Sequence, residues 1–145
     1  MFDELEKYRD KGHFFLKQGG NLSEVCNAPT NKSGVYLVFA LSNGTIELVY
    51  IGMSGQEQAD GTVKVRTAGL GGIKDRIVNG HQFGKIPRHK SWPHQMQREN
   101  IEALDVYWYV TWDGTINDVP RDVEWALLKK HFQIYRRLPR WNNGI

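Results

Sequence analysis

Val35-Tyr36-Leu37-Val38-Phe39-Ala40-Leu41, then Ser42-Asn43-Gly44-Thr45, then Ile46-Glu47-Leu48-Val49-Tyr50-Ile51 is the stretch whose reading decides the fold. Two apolar runs rich in β-branched and aromatic residues flank an Asn-Gly pair, which predicts an antiparallel hairpin. Runs apolar on both faces are covered on both sides, so helices must pack over the sheet they belong to. Two registers compete. A two-residue Asn43-Gly44 turn sends Tyr36 and Tyr50 to opposite faces. A three-residue loop, Ser42-Asn43-Gly44 with Gly44 left-handed, pairs Leu41 with Thr45 and sets Tyr36 directly across from Tyr50. The second register is expected.

Outward from the hairpin, residues 1–18 carry Phe2, Leu5, Tyr8, His13 and Leu16 near one helical face, and Gly19-Gly20 follows. Residues 1–33 therefore read as a helical extension packed on, or leading into, a domain of residues 34–145. Residues 53–72 are a long polar, glycine-bearing connection. A short helix is expected over 73–79, closed by Gly80, and a second over about 93–102. Residues 81–90 are irregular and basic. The run from Leu104 to Trp112 alternates as a strand, and Asp113-Gly114 turns the chain. Asp118 is placed to cap a last helix with Pro120 in its first turn, running to about Arg137 before Pro139. The class is α+β, a small antiparallel or mixed sheet flanked by helices.

A chain of 145 residues is one ordinary domain, and 40% hydrophobic with 24% charged residues is a globular composition. The single cysteine, Cys26, excludes an internal disulfide and fits a reducing, cytoplasmic setting. No apolar run is long enough to span a bilayer, and Met1 to Asp10 is too charged for a secretory leader. The net charge of +3 is unevenly spread. Residues 64–100 hold eight bases against two acids and residues 121–145 six against two, while residues 101–120 hold four acids and no base. Two basic segments brought together by the fold would suit a polyanion, although blocks of this size also occur on ordinary solvated surfaces.

Gly34-Val35-Tyr36 and, after thirteen intervening residues, Tyr50-Ile51-Gly52 form a pair of motifs. Ile73-Lys74-Asp75-Arg76-Ile77 follows on a predicted helix, Glu124 lies on the last long helix, and Pro139-Arg140-Trp141-Asn142 closes the chain. This ordered set resembles the GIY-YIG nucleases over residues 34–142. The resemblance implies the GIY-YIG nuclease fold and a metal-dependent endonuclease that hydrolyses DNA phosphodiester bonds, one strand per active site. It makes Tyr36, Tyr50, Arg76, Glu124 and Asn142 site residues, with Glu124 the ligand of Mg²⁺ or Mn²⁺. Val35 stands where the family has isoleucine, and the long connection before Arg76 is similar to the insertion in the restriction-endonuclease branch. One turn after its arginine the family often carries histidine or tyrosine. Here that position is Gly80, which leaves His81 and His89 as the candidate histidines.

The chemistry has its own logic. Glu124 shares a helical face with Leu127, Leu128 and His131, where a lone carboxylate is costly unless paired, protonated or bound to a cation, and a hard oxygen ligand suits Mg²⁺. Arg76 offers a planar fork of donors to a scissile phosphate. Tyr36 could take a proton from water where nearby cations lower its pKa, and Tyr50 could orient that water or hold a phosphate oxygen. His81 or His89 could share a proton with them. Lys74, Lys85, Arg88 and Lys90 are the expected nucleic-acid contacts on duplex or branched DNA. A double-strand cut would need a homodimer, two successive events or a larger targeting partner. Each residue also has a plainer reading: a salt bridge for Glu124, a surface charge for Arg76, core packing for the tyrosines, exposed loop positions for the histidines, a helix cap for Asn142. A non-catalytic nucleic-acid-binding or scaffold module is the alternative from another class. Cys26, His81, His89 and His94 lack zinc-ligand spacing, Gly69 to Gly72 lacks the lysine and hydroxyl of a phosphate loop, and Tyr107-Trp108-Tyr109 reads as sheet packing.

Overall fold

The strand β2 (Ser33–Ser42) is buried along most of its length and pairs on both sides, as its apolar run requires. The computed structural model describes residues 1–143, with β1 (Lys11–Lys17), β3 (Thr45–Ser54) and β6 (Ala103–Trp112) completing a four-stranded antiparallel sheet in the order β1-β6-β2-β3. A two-stranded ribbon, β4 (Gln56–Glu57) and β5 (Val63–Lys64), rises from the polar connection. The helices are α1 (Leu22–Val25), α2 (Gly72–Asn79), α3 (Arg88–Glu99), α4 (Pro120–Tyr135) and α5 (Arg140–Asn143). Among the described residues, no helix is long and apolar enough to cross a membrane.

The expected hairpin register is not the one found. Asn43 (φ 50°) and Gly44 (φ 76°) are both left-handed and form a two-residue turn, so Ser42 pairs with Thr45 and Leu41 with Ile46. Asn-Gly favours this turn because its twist matches that of the flanking strands. The extra residue sits in the ladder instead. Phe39 pairs with Leu48 but Val38 with Tyr50, which leaves Val49 as a β-bulge. Beyond the bulge Tyr36 opposes Gly52, and Tyr36 and Tyr50 return to one face on a diagonal.

The sheet separates two cores. On the tyrosine face, Tyr36, Val38, Val49 and Tyr50 pack with Leu104, Val106 and Trp108, under Leu22 of α1, Ile73 and Ile77 of α2, Trp92 and Met96 of α3, and Trp141 of α5. On the other, Val35, Leu37 and Ile51 meet Leu127 of α4, with Leu5 and Tyr8 of the N-terminal segment.

The expected N-terminal helix is absent. Residues 3–5 form one 3-10 turn, and β1 is an edge strand of the main sheet, so residues 1–33 are built into the domain. Phe14 and Leu16 alternate inward while Gly12 lies against the Trp108 indole. A helix would have scattered Phe14, Phe15 and Leu16 over three directions. The second helix starts at Arg88, five residues before the expected start, with Pro93 inside it. Asp118 does not cap α4. Its carboxylate accepts from Tyr8 (2.7 Å) and pairs with Lys7 (2.8 Å), Val119 takes the cap position, and Pro120 opens the helix as expected.

Gly34 is fixed by β6: a Cβ there would collide with the Tyr109 carbonyl. Gly34→Ala is therefore expected to destabilise the domain by about 1–3 kcal/mol through forced strand separation. Urea unfolding measures this, and a midpoint equal to that of the wild type would contradict the packing described.

Candidate active site

The two motif tyrosines meet because of the bulge and a glycine. Their ring centroids are 6.1 Å apart at a 38° tilt, and Tyr36 lies over Gly52 so closely that a Cβ there would stand 2.5 Å from its Cζ and 2.6 Å from its Oη. Both rings are buried. Among the described residues Tyr36 Oη has no hydrogen-bond partner, which is costly for a buried hydroxyl.

Arg76 lies on α2 and acts electrostatically on Tyr50. That helix is strapped to the preceding connection through the buried Asp75, which accepts from Arg66 Nε (2.7 Å), the Leu70 N–H (2.8 Å) and Asn79 Nδ2 (2.6 Å). Burial works against the Asp75 anion, but these donors outweigh it and hold the carboxyl below its ordinary pKa. Arg76 itself is half-buried, and among the described residues its buried Nε has no partner. It lies on the wall of a cleft of about 370 Å³ lined by Met53, Ser54, Lys64, Arg66 and Thr67. A larger cavity, about 720 Å³, opens on the opposite sheet face around Phe39, Asp105 and Tyr107, away from both tyrosines.

Glu124 approaches from α4, which packs across β3 at the edge of the sheet. It is half-buried, and burial pushes its carboxyl above the ordinary range against the opposing pull of Arg76. Burial and the neighbouring Tyr36 likewise raise the Tyr50 phenol; Arg88 and Arg76 act downward and Glu124 upward. Tyr36, Tyr50, Arg76 and Glu124 thus share one electrostatic neighbourhood. Asn142 does not cap a helix here: its Oδ1 accepts the Ile51 N–H and its Nδ2 donates to the Ile51 carbonyl, both at 3.0 Å, clamping α5 to β3 beside Tyr50.

Arg88 departs most from expectation. Expected as a surface phosphate contact, it is 1% exposed and lies beneath the tyrosines. It donates to Tyr50 Oη (3.2 Å), the Arg76 carbonyl (2.6 Å) and Gln82 Oε1 (2.9 Å). The buried Gln82 and Trp92 that hold it were not anticipated either. A signal was present, because Trp92 and Met96 place Arg88 on their own helical face at i−4 and i−8. Lys85 and Lys90 are exposed and Lys74 is half-buried. His81 is exposed in a loop bridged to Pro87, and His89 is half-buried in the first turn of α3. Among the described residues, neither enters the hydrogen bonds joining Arg88, Tyr50, Arg76 and Gln82.

Among the described residues, no group of three or more His, Cys, Asp or Glu is gathered for a metal. One half-buried carboxylate still suits a hydrated Mg²⁺, which is commonly held by one or two carboxylates and keeps several waters. No family model, curated protein or solved structure matches the chain.

Because the folded state holds the Glu124 proton more tightly than the unfolded chain, stability contributed by this group is present below the ordinary carboxylate range and is lost as pH rises above it through the raised value of the folded state. Glu124→Gln removes that titration. The variant should exceed wild type in thermal stability at pH 7 without divalent cation, with the gain shrinking toward pH 4. A gain that grows on acidification would refute the assignment.

Proposed function

We propose that the chain is an endonuclease of the GIY-YIG type, with the fold of that family, hydrolysing DNA phosphodiester bonds one strand at a time. The observation that supports this is that Tyr36 and Tyr50, on β2 and β3, lie together while Arg76 of α2 and Glu124 of α4 both act electrostatically on Tyr50, and that among the described residues Tyr36 Oη and Arg76 Nε have no protein partner. A buried polar atom without a protein partner is open to a water or a ligand.

In this reading Tyr36 would first release its own phenolic proton to solvent with a cation bound nearby, its phenolate oxygen would then take the proton of the attacking water, and Tyr50 would orient that water or a phosphate oxygen. Arg76 donates to the phosphate oxygens as negative charge builds on them. Glu124 would hold Mg²⁺ or Mn²⁺, which supplies Lewis-acid stabilisation of a phosphate oxygen when bound. Asn142 keeps β3 in place next to Tyr50 through its two bonds to Ile51. The exposed Lys85 and Lys90 would neutralise backbone phosphates. Targeting to a duplex or a branched structure, and a second cut by a homodimer or a larger partner, lie downstream of this chemistry.

A panel of duplex, branched and single-stranded DNA incubated with Mg²⁺ or Mn²⁺ tests the proposal. Arg76→Ala and Glu124→Ala should each lower the nicking rate by roughly 10²-fold or more while DNA binding persists. Wild-type protein that binds DNA but cuts nothing on the panel would instead support a binding or scaffold module. Lys85→Ala and Lys90→Ala should weaken binding on all sequences alike and flatten its salt dependence by about one unit of slope each.

A further inference from the structure

We propose that Arg88 is a positioning residue for the tyrosine pair: its Nη2–H occupies a lone pair of Tyr50 Oη and so turns the Tyr50 O–H outward, toward the space that Arg76 and Tyr36 face. The inference rests on the nuclease reading and names a residue that reading did not contain.

The guanidinium is charged at any ordinary pH. It is 1% exposed, and among the described residues no ion pair involves it. A buried cation without a carboxylate is an expensive core filler, and a methionine would occupy similar space without the desolvation cost. What surrounds Arg88 is a fixed cradle. Gln82 Oε1 accepts from Arg88 Nε and from Trp92 Nε1, both at 2.9 Å, and the Arg76 carbonyl accepts from Nη1. The aromatic faces of Tyr50, Tyr36 and Trp92 lie 5.2, 5.6 and 5.6 Å from Arg88 Cζ, distances at which a cation is attracted to each ring.

Gly80 shows that space has been reserved for this group. A Cβ at Gly80 would run into Arg88 Nη1 and the Arg76 carbonyl. The guanidinium thus fills from α3 the place that a side chain one turn after Arg76 would enter from α2. A phenol has one donor and two acceptor sites. With one acceptor site of Tyr50 taken from below, the proton is left to donate elsewhere. The charged groups facing Tyr50 are Arg88 from α3, Arg76 from α2 and Glu124 from α4, with the Tyr36 phenol from β2. Arg88 is the one bonded to its oxygen.

The experiment is a double-mutant cycle on the full chain. Arg88→Lys, Tyr50→Phe and the double variant are compared for single-turnover nicking of the cleaved DNA in Mg²⁺. The DNA concentration for half-maximal rate is measured for each, and thermal melting checks folding. Arg88→Lys should lower the saturated rate by roughly 10²-fold, leave the half-saturating concentration within about twofold, and add no further loss in the Tyr50→Phe background. Lysine keeps the charge and the aliphatic stem, so it is the variant that tests the bond when Arg88→Met fails to fold. An unchanged saturated rate overturns the inference and leaves the nuclease reading standing. So does a raised half-saturating concentration at unchanged rate, which marks a phosphate contact, and so does a loss equally large in the Tyr50→Phe background, which marks a purely structural role. Wild-type protein that cuts nothing overturns both.

Discussion

One extra residue in one strand governs the arrangement. Asn43 and Gly44 demand a two-residue turn, and that turn alone would place Tyr36 and Tyr50 on opposite sides of the sheet. The Val49 bulge between the Phe39–Leu48 and Val38–Tyr50 pairs reverses the parity and brings the phenols together. Turn and bulge are coupled. Removing either throws Tyr50 into the core of Leu127 and Ile51 and carries Ile51 to the tyrosine side. Gly52 completes the arrangement, since it lies under the Tyr36 ring and leaves no room for a side chain.

The position of β3 at the sheet edge explains how a carboxylate from the other layer joins the tyrosines. Four helices cover the tyrosine face, while α4 covers the opposite one. Were β3 an interior strand, a further strand would separate Glu124 from Tyr50. At the edge, α4 passes across β3 and the Glu124 charge acts on Tyr50 and Arg76. The Asn142 bonds to the Ile51 backbone hold α5 against the same strand. The edge that in another protein would invite strand pairing is here flanked by helices from both layers.

Much of this was legible in residues 34–142. The hairpin, the short helix over residues 72–79, the long strand β6 and the helix opened by Pro120 follow from apolar runs, turn residues and proline placement. The convergence of the two tyrosines was legible too, but for a mistaken reason, because sequence patterns do not distinguish a residue inserted in a loop from one inserted in a ladder. The strand at 11–17 was obscured because Phe2, Leu5 and Tyr8 simulate a helical stripe while serving a different core from Phe14 and Leu16. The start of α3 was hidden by chemistry. Its first inward position is an arginine, and periodicity arguments count arginine as outside. Asp118 had the composition of a cap, but Lys7 and Tyr8, more than a hundred residues away in sequence, claim its carboxylate.

The same site concentrates electrostatic cost. Around Tyr50 stand a buried guanidinium that has no counter-carboxylate among the described residues and a carboxyl pushed toward its neutral form, and among the described residues Tyr36 Oη and Arg76 Nε have no partner. Each unmet buried group costs about 1–3 kcal/mol, against a total stability of roughly 5–15 kcal/mol for a domain. Such groups persist where the surrounding packing over-determines them, and here Trp92, Trp141, Ile77 and Met96 supply that packing while staying fully buried. A phosphate would give Arg76 an acceptor and Tyr36 a partner, and a cation would relieve Glu124. Under the nuclease proposal, binding of a phosphate and a cation would relieve several of these penalties together, and part of the binding free energy would then be held in the folded protein beforehand.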